Sequence, residues 1–443
     1  MQYFLAIIGG GPAGYTAAEK ASKAGKNVVL FEQNALGGTC LNVGCIPTKT
    51  LLYSAKQYYN ATHADKYGVT TENVTFNYAK MVQRKQKVVR KLVAGIKAKL
   101  NNDFCTVING AASVVSRTDD KVVIECNGEQ YEAENLLICT GSSNFVPPIP
   151  GIQDNPNVWD STLALDSKEL PQSIAIVGGG VIGMEFATLY HELGISVTVI
   201  EAMPSILPNI DQEIVQILRD KYEKAGITIL TDTKVLSIDG QKVTTSNGDI
   251  EADKVLVCVG RRPNMQGLET LTDLKCERGI EVDDFMKTNL PNVYAAGDVT
   301  GKIMLAHVAS RQAEVAVGRM LKQIPLQRID YNAIPSVVYT NPEIASVGVA
   351  EGQLDCDIHK LPMTFSGRFV AENEGETGLC KMLIDKKSQR VLGVHMIGNP
   401  CSEFIAAASF AIRMGYTVPE FQQVVFPHPT VSEILKEIGG SFM

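Results

Sequence analysis

No stretch of the sequence approaches the roughly eighteen uninterrupted apolar residues that a membrane-spanning helix requires, so no membrane association is expected. Nor is there a long run of like charge. The formal net charge is -7, which leaves out the basic field that a nucleic acid needs and argues against such a partner. Residues Met1–Gly11 carry no basic region, and their apolar run stops at a glycine cluster instead of a cleavage-type site, which reads as a buried strand and not a signal. Cysteine is sparse for the length: ten in 443 residues, most of them single and set in apolar runs, as at Cys139 and Cys258. This excludes a disulfide scaffold and points to reduced core thiols in a cytoplasmic chain. What is there is a globular composition, 45% hydrophobic and 20% charged, in a chain too long for one core at about 100 to 200 residues per domain.

The clearest feature is an internal repeat. Tyr3 to Ile8 is an apolar run ending in Gly9-Gly10-Gly11-Pro12-Ala13-Gly14, followed by a helical stretch to Gly25, a second apolar run Val28 to Phe31, and Glu32. The same landmarks return at Gly178, Gly180, Gly183, Gly194 and Glu201, each displaced by 169 residues (Gly9 to Gly178, Glu32 to Glu201). Physically this is a strand, helix, strand unit that binds a dinucleotide: the first glycine makes the turn, the second admits the pyrophosphate, and the third lets helix pack on strand. The helix N-terminus then holds the phosphates. An acidic residue closing the second strand accepts from ribose hydroxyls, and Ala202, Met203, Pro204 and Ser205 offer no arginine for a 2'-phosphate, so the second site is expected to prefer NAD to NADP.

Cys40 and Cys45 stand apart from the other cysteines, in Gly37-Gly38-Thr39-Cys40-Leu41-Asn42-Val43-Gly44-Cys45-Ile46-Pro47-Thr48-Lys49. A regular helix separates residues five apart by about 7.5 Å, beyond the Cα limit of about 7 Å for a disulfide. Bonding requires a local break, which Gly44 and Pro47 permit, and a reducible bond is the expected product. Zinc needs four ligands, and no second closely spaced Cys/His pair exists. A static staple is disfavoured among reduced thiols, so the pair reads as a redox dithiol. Near the C-terminus, His428 lies between Pro427 and Pro429 with Glu433 a short distance on. A rigidly framed imidazole with a carboxylate to orient it suits a general base toward a thiol. His63, His191, His359 and His395 have no such setting and read as ordinary surface or core residues.

Together the Gly37 to Cys45 segment, the paired glycine motifs, Ala296-Gly297-Asp298 and His428-Pro429-Thr430 to Glu433 resemble the pyridine nucleotide-disulfide oxidoreductase family, and within it the dihydrolipoyl dehydrogenases, over essentially the whole chain. The resemblance implies an α/β fold with two Rossmann-like domains, FAD-binding over 1–142 and NAD-binding over 143–265. A central segment, 266–332, would pack with the FAD domain, and a C-terminal α+β domain, 333–443, would form a homodimer. FAD would meet Gly9, Gly11, Gly14, Glu32, Gly38, Thr39, Lys49, Ala112, Gly141, Asp298, Met304, Leu305, Ala306 and His307, with Asp298 on the ribityl chain. NAD would meet Gly178, Gly180, Gly183, Glu185, Glu201, Val235 and Gly260, and Lys49 would pair with Glu185. No metal is implied.

In such a protein Cys40 exchanges with the substrate, Cys45 faces the flavin, and His428 with Glu433 serves the partner subunit's disulfide. The substrate would be a dihydrolipoyl group on a separate protein, from a 2-oxo acid dehydrogenase complex or the glycine cleavage system. Reduction of another disulfide such as glutathione disulfide is the nearest alternative. Glu201 argues against its NADPH, and Val181 stands where that relative places a tyrosine. Mercuric reduction would want a further cysteine pair, whereas the chain ends Gly439-Gly440-Ser441-Phe442-Met443. A non-catalytic FAD-containing docking component would leave Cys40, Cys45 and His428 without purpose. Cys401 falls where relatives carry a small residue.

Overall fold

A computed structural model describes residues 2–325 and 328–440. Contacts gather them into two units: Met1–Thr50, Ala79–Phe145 and Gly260–Ile329 form the first, and Leu51–Tyr78, Val146–Val259 and Asp330–Met443 the second.

The first unit is built on a sheet whose strands run in the order Cys105–Asn109, Val28–Glu32, Gln2–Ile8, Glu129–Ile138, Val122–Cys126 and Ala112–Arg117, with Val293–Ala295 also paired to Glu129–Ile138. The first four strands are parallel and the last two antiparallel. Side chains alternate across a strand, and here both faces are covered, so the strands read as continuous apolar runs. Leu5, Ile7, Val28, Leu30 and Leu137 face one core, and Ala6, Ile8, Val29, Phe31, Leu136 and Ile138 the other. The first core is closed by the helices Pro12–Lys23 and Ala306–Met320, whose buried positions are mostly alanine (Ala13, Ala17, Ala18, Ala21; Ala309, Ala313, Ala316). Small side chains let the two helices approach the sheet and each other, which brings both N-termini to the carboxyl ends of the strands, where α/β sheets bind ligands.

The second unit repeats the motif in a parallel sheet ordered Thr228–Leu230, Ser196–Ile200, Ser173–Val177, Lys254–Val257 and Val158–Trp159. Its C-terminal part is an antiparallel sheet of Ser336–Val338, Ile344–Gly348, Val391–Ile397, Leu379–Ile384 and Asp357–Pro362, packed with the helices Cys401–Met414 and Ile434–Gly440. Cys401 lies fully buried at the start of its helix, its Sγ donating to the Glu343 carbonyl at 3.3 Å. The two nucleotide-type sheets and the α+β C-terminal part match the expected fold class.

The Asp211 side chain caps the helix Gln212–Lys224, accepting from the amides of Glu213 and Ile214. It also takes a bond from Lys381 Nζ at 2.8 Å, in a strand of the C-terminal sheet. Lys381 is wholly buried and also binds Glu213 (2.9 Å) and Glu351. Burial opposes its charge, but Asp211, Glu351 and Glu213 outweigh that and hold it above the ordinary lysine range. Among the described residues these three carboxylates are the group with metal-like spacing, and the ammonium is bonded to all three. Lys381→Met should cost about 3–5 kcal/mol, because it strands the buried Asp211 carboxylate. Urea denaturation with an unchanged m-value checks this, and a loss under 1 kcal/mol by the same measurement refutes it, on the scale of about 0–1 kcal/mol for exposed pairs.

Candidate active site

The two glycine turns are matched atom for atom. Gly9 and Gly178 take φ of +105° and +104°, a region that favours glycine. A methyl group on Gly14 would overlap the Gly9 carbonyl oxygen, and one on Gly183 the Gly178 carbonyl oxygen, so the third glycine of each motif is required by helix-on-turn packing. Gly10 N donates to Glu32 Oε2 at 2.7 Å, and Gly179 N to Glu201 Oε2 at 2.7 Å. The other carboxylate oxygens accept from Asn34 N and Met203 N at 2.7 and 2.8 Å. The helices Pro12–Lys23 and Val181–Glu192 start at Gly11 and Gly180 with no side-chain cap. Their first amides are left for an anion, and a Cβ at Gly180 would meet open space. The residues therefore fit a pyrophosphate at each turn. Val181 is exposed at the second helix start, and Val235 opens the strand Val235–Asp239.

The dithiol sits where the chain breaks a helix in two. Gly37 and Gly38 have φ of +99° and +57°, and Gly38 comes so close to Gly11 that a Cβ on it would stand 2.7 Å from the Gly11 Cα. The short helix Gly38–Asn42, carrying Thr39, stops at Val43, and a new helix, Cys45–Thr62, begins after Gly44. Asn42 Nδ2 ties the first piece down through the carbonyls of Leu36 (3.1 Å) and Gly38 (3.0 Å), and Thr48 Oγ1 donates to Gly44 O at 2.7 Å. Pro47 falls in the first turn of the new helix, where its missing N–H costs nothing. This break is what the five-residue spacing demanded. Cys40 and Cys45 are in hydrogen-bond contact, Cys40 half-buried and Cys45 exposed. The Cys40 thiol is pushed well above the ordinary range, first by its hydrogen bond to Cys45 and then by burial, while Lys49 pulls it down and Asp298 pushes it further up. Cys40 therefore favours its protonated form, while Cys45 opens the helix Cys45–Thr62, and a helix N-terminus favours a thiolate. Tyr15, on the helix Pro12–Lys23, lies close to Cys40, and burial first holds its hydroxyl above the ordinary range.

Asp298 follows the strand Val293–Ala295 across Gly297, whose φ is +84°. Its Oδ2 accepts from Ser142 Oγ at 2.5 Å, next to Gly141 (φ +70°). Met304 and Leu305 lead into the helix Ala306–Met320, which carries His307 in its first turn and has no side-chain cap at its start. Ala112 opens the strand Ala112–Arg117, and its carbonyl lies against Gly267. Gly260 (φ +116°) accepts from Phe145 N at 3.0 Å.

In the second unit, His428 Nδ1 lies 3.0 Å from Glu433 Oε1 and 3.2 Å from Oε2. Glu433 Oε2 also accepts from Thr430 N at 2.9 Å in a capping box. The Thr430 amide first, and then His428, hold the Glu433 carboxyl below the ordinary range. With Nδ1 turned to the carboxylate, Nε2 faces away, and the side chain is 81% exposed. Cys40 and Cys45 belong to one unit and this pair to the other. The remaining histidines behave as expected: His63 stacks on Tyr59, His395 Nε2 bonds Val349 O at 2.8 Å, and burial draws His191 below its ordinary value and His359 down to about 4.

Two glutamates seven apart on the helix Val181–Glu192 face the segment after the strand Ser336–Val338. Buried Glu185 accepts from Tyr339 N at 3.2 Å, and buried Glu192 from Asn341 Nδ2 at 2.8 Å. Asn341 N donates to Tyr222 Oη at 3.2 Å, and Asn399 Nδ2 to Asn341 Oδ1 at 3.0 Å. Burial pushes Glu192 up to about 7, against the pull of Asn341, Lys56 and Lys221. The folded protein therefore holds a proton there that the unfolded chain releases near 4.5, and stability is lost as pH rises between those values. Glu192→Gln, which keeps an acceptor for Asn341, should stabilise the protein by about 2–3 kcal/mol at pH 8 and by little at pH 4. Denaturation at both pH values checks it, and an equal effect at the two would overturn it.

Among the described residues no helix is long and apolar enough to cross a membrane. Comparison with known proteins then decides the family. Residues 3–313 match the pyridine nucleotide-disulphide oxidoreductases, and residues 334–438 the dimerisation domain of the same family. The chain belongs to this family. Among pyridine nucleotide-disulphide oxidoreductases, it is 39% identical to the dihydrolipoyl dehydrogenase of Chlamydia trachomatis serovar D, over 97% of this chain and 95% of that one. It is 36% identical to the dihydrolipoyl dehydrogenase of Geobacillus stearothermophilus, over 97% and 94%. Among solved structures, LpdA from Mycobacterium tuberculosis superposes with a TM-score of 0.91 at 27% identity, over 99% of this chain and 100% of that one. The HOCl-induced flavoprotein disulfide reductase RclA of Escherichia coli, solved as a Cu(II) complex, gives 0.88 at 29%, over 100% of both chains. A family dimerisation domain over the C-terminal part supports a homodimer.

The sequence reading passed over Ser142, Arg261 and Gln312, which hold Asp298, and Tyr15 beside Cys40. Arg261 opens the Arg261-Arg262-Pro263-Asn264 run directly after Gly260, but nothing in that run marks its distant partner.

Proposed function

We propose that the protein is a dihydrolipoyl dehydrogenase, oxidising protein-bound dihydrolipoyl groups and reducing NAD through FAD and the Cys40–Cys45 pair. The observation that carries this is the dithiol itself: two cysteines in contact across a broken helix, Cys40 half-buried and Cys45 exposed at the start of the second piece. Near-full-length similarity to dihydrolipoyl dehydrogenases supports the choice of substrate. Gly9, Gly11, Gly14, Glu32, Gly38, Thr39, Lys49, Ala112, Gly141, Asp298 and residues Met304 to His307 would hold FAD. Gly178, Gly180, Gly183, Glu185, Glu201, Val235 and Gly260 would hold NAD. Bound FAD supplies the two-electron transfer between the sulfurs and the nicotinamide.

His428 of one subunit serves the other, which its outward Nε2 and the exposed Phe365, Phe410, Met414 and Val425 of the dimerisation domain favour. Nε2 takes a proton from one thiol of dihydrolipoamide, and the thiolate attacks Sγ of Cys40 in the oxidised pair. The Cys40–Cys45 bond breaks, leaving a mixed disulfide on Cys40 and a thiolate on Cys45. The second substrate sulfur, deprotonated in turn, displaces Cys40 and leaves as the cyclic disulfide, so two electrons and two protons have passed to the protein. Glu433 keeps the imidazole turned and offsets its positive charge. A lipoyl-bearing carrier from a separate acyl-transfer or glycine-cleaving assembly would be the partner, in the cytoplasm.

The likeness to RclA favours a second reading, reduction of a different disulfide. Anaerobic stopped-flow with NADH or NADPH, and then lipoamide or glutathione disulfide, separates them. Preference for NADPH, or turnover with glutathione disulfide alone, rejects the dihydrolipoamide assignment.

A further inference from the structure

Asp298 is held by groups that the sulfur chemistry does not use. Arg261 lies in the strand Arg261–Pro263, paired antiparallel with Ser142–Asn144. Its Nε donates to Ser142 Oγ at 2.7 Å, one terminal nitrogen to the Ser142 carbonyl at 2.6 Å, and the other to Asn144 Oδ1 at 2.6 Å. Ser142 is buried, and its hydroxyl is 2.5 Å from Asp298 Oδ2. Arginine has donors only and is permanently charged. Since Ser142 Oγ accepts from that cation, its one proton is directed to Asp298, and the chain of bonds can run only from Arg261 through Ser142 to Oδ2.

The main chain at Asp298 is fixed separately. Gly297, at φ +84°, donates its amide to Gln312 Oε1 at 2.6 Å, and Gln312 is fully buried. With backbone and Oδ2 both tied, the direction of Oδ1 is set before any ligand arrives. We propose that Arg261, acting through Ser142, is a positioning residue that presents Asp298 Oδ1 to a hydroxyl of the FAD ribityl chain. This rests on the assignment of Asp298 to FAD made above. Preorganisation of this kind tightens binding by removing the cost of ordering the acceptor. Lysine cannot replace Arg261, because one ammonium does not reproduce a planar fork to three acceptors.

The test uses protein stripped of FAD and titrated with it, following flavin fluorescence, with the melting temperature of each apoprotein as the folding control. Ser142→Ala and Arg261→Met should each raise the FAD Kd by about tenfold or more, the range for a hydrogen bond to a charged group. Arg261→Lys should fall nearer to methionine than to wild type, Ser142→Thr should restore the affinity to within about threefold, and the double variant should be no worse than the weaker single, as two links of one chain. Wild-type affinity in both single variants, or fully additive losses, overturns the relay. If Asp298→Ala leaves the FAD Kd unchanged, the underlying assignment fails instead. Should Ser142→Ala not fold, Arg261→Lys and Ser142→Thr decide the matter by the same two measurements.

Discussion

Cys45→Ser is expected to bind FAD as the wild type does and to lose turnover with dihydrolipoamide by at least about 10⁴-fold, the scale on which removal of a covalent catalytic group registers. The argument is one of electron storage. Cys40 and Cys45 lie in contact across the break at Val43–Gly44, and an oxidised pair there accepts two electrons by opening its bond. One remaining thiol has no partner with which to store them. Cys40→Ser should be as inactive, since it removes the sulfur that the substrate attacks, and the two variants together should be no worse than either. In both, oxidation of NADH by an artificial acceptor should continue, because it bypasses the sulfurs. An anaerobic dithionite titration gives the decisive reading: wild type should take up two more electrons per subunit than either serine variant. Equal uptake would remove the dithiol from the reaction.

His428→Gln should slow dihydrolipoamide oxidation by about 10² to 10⁴-fold, the range for a positioned general base, with FAD content unchanged. Glu433→Gln should give a smaller loss, since it turns the ring without removing it. The sign of the pH effect follows from the Thr430 amide and His428, which hold Glu433 below its ordinary value of 4.5. A depressed carboxyl contributes at neutral pH and loses its contribution only as pH falls through the lowered value, so the His–Glu arrangement persists to below the ordinary carboxyl value of 4.5. Mixed dimers test whether the imidazole acts across subunits. Exchanging subunits between inactive Cys40→Ser and His428→Gln proteins creates one intact site per mixed dimer only if the base comes from the neighbour, and about a quarter of wild-type activity should return in the re-assorted pool, as two-fold symmetry requires. No recovery would place base and dithiol in the same chain.

The parts of this site that sequence made legible are those whose chemistry demands residue types at short, fixed spacing. Gly9, Gly11 and Gly14 answer to one turn, Cys40 and Cys45 to one helix break, His428 and Glu433 to one short hydrogen-bonded segment, and each is recognisable within a few positions. The duplicated strand, helix, strand pattern is legible for the same reason, whereas the full fold class, with its C-terminal α+β part, rests on the family resemblance. What stayed hidden depends on long-range meetings between common residue types. Ser142 finds Asp298 across 156 positions and Arg261 finds Ser142 across 119, and neither a serine nor an arginine announces such a role. Lys381 was equally opaque, since a lysine in a strand is ordinarily a surface residue and only the folded chain gathers three carboxylates around it. Glu192, the last residue of the helix Val181–Glu192, is buried where the fold brings Asn341 onto its carboxylate from 149 positions away.

The carboxylates that end the two motif strands do more than await a sugar. Glu201 binds the Gly179 and Met203 amides with its two oxygens, as Glu32 does with Gly10 and Asn34. An arginine at 201, the obvious engineer's route to a phosphorylated coenzyme, would take away the acceptor that shapes the phosphate loop in the act of adding a phosphate ligand. Coenzyme choice and loop architecture are therefore written in one side chain, and redirecting the enzyme calls for a second substitution that returns an acceptor to those amides.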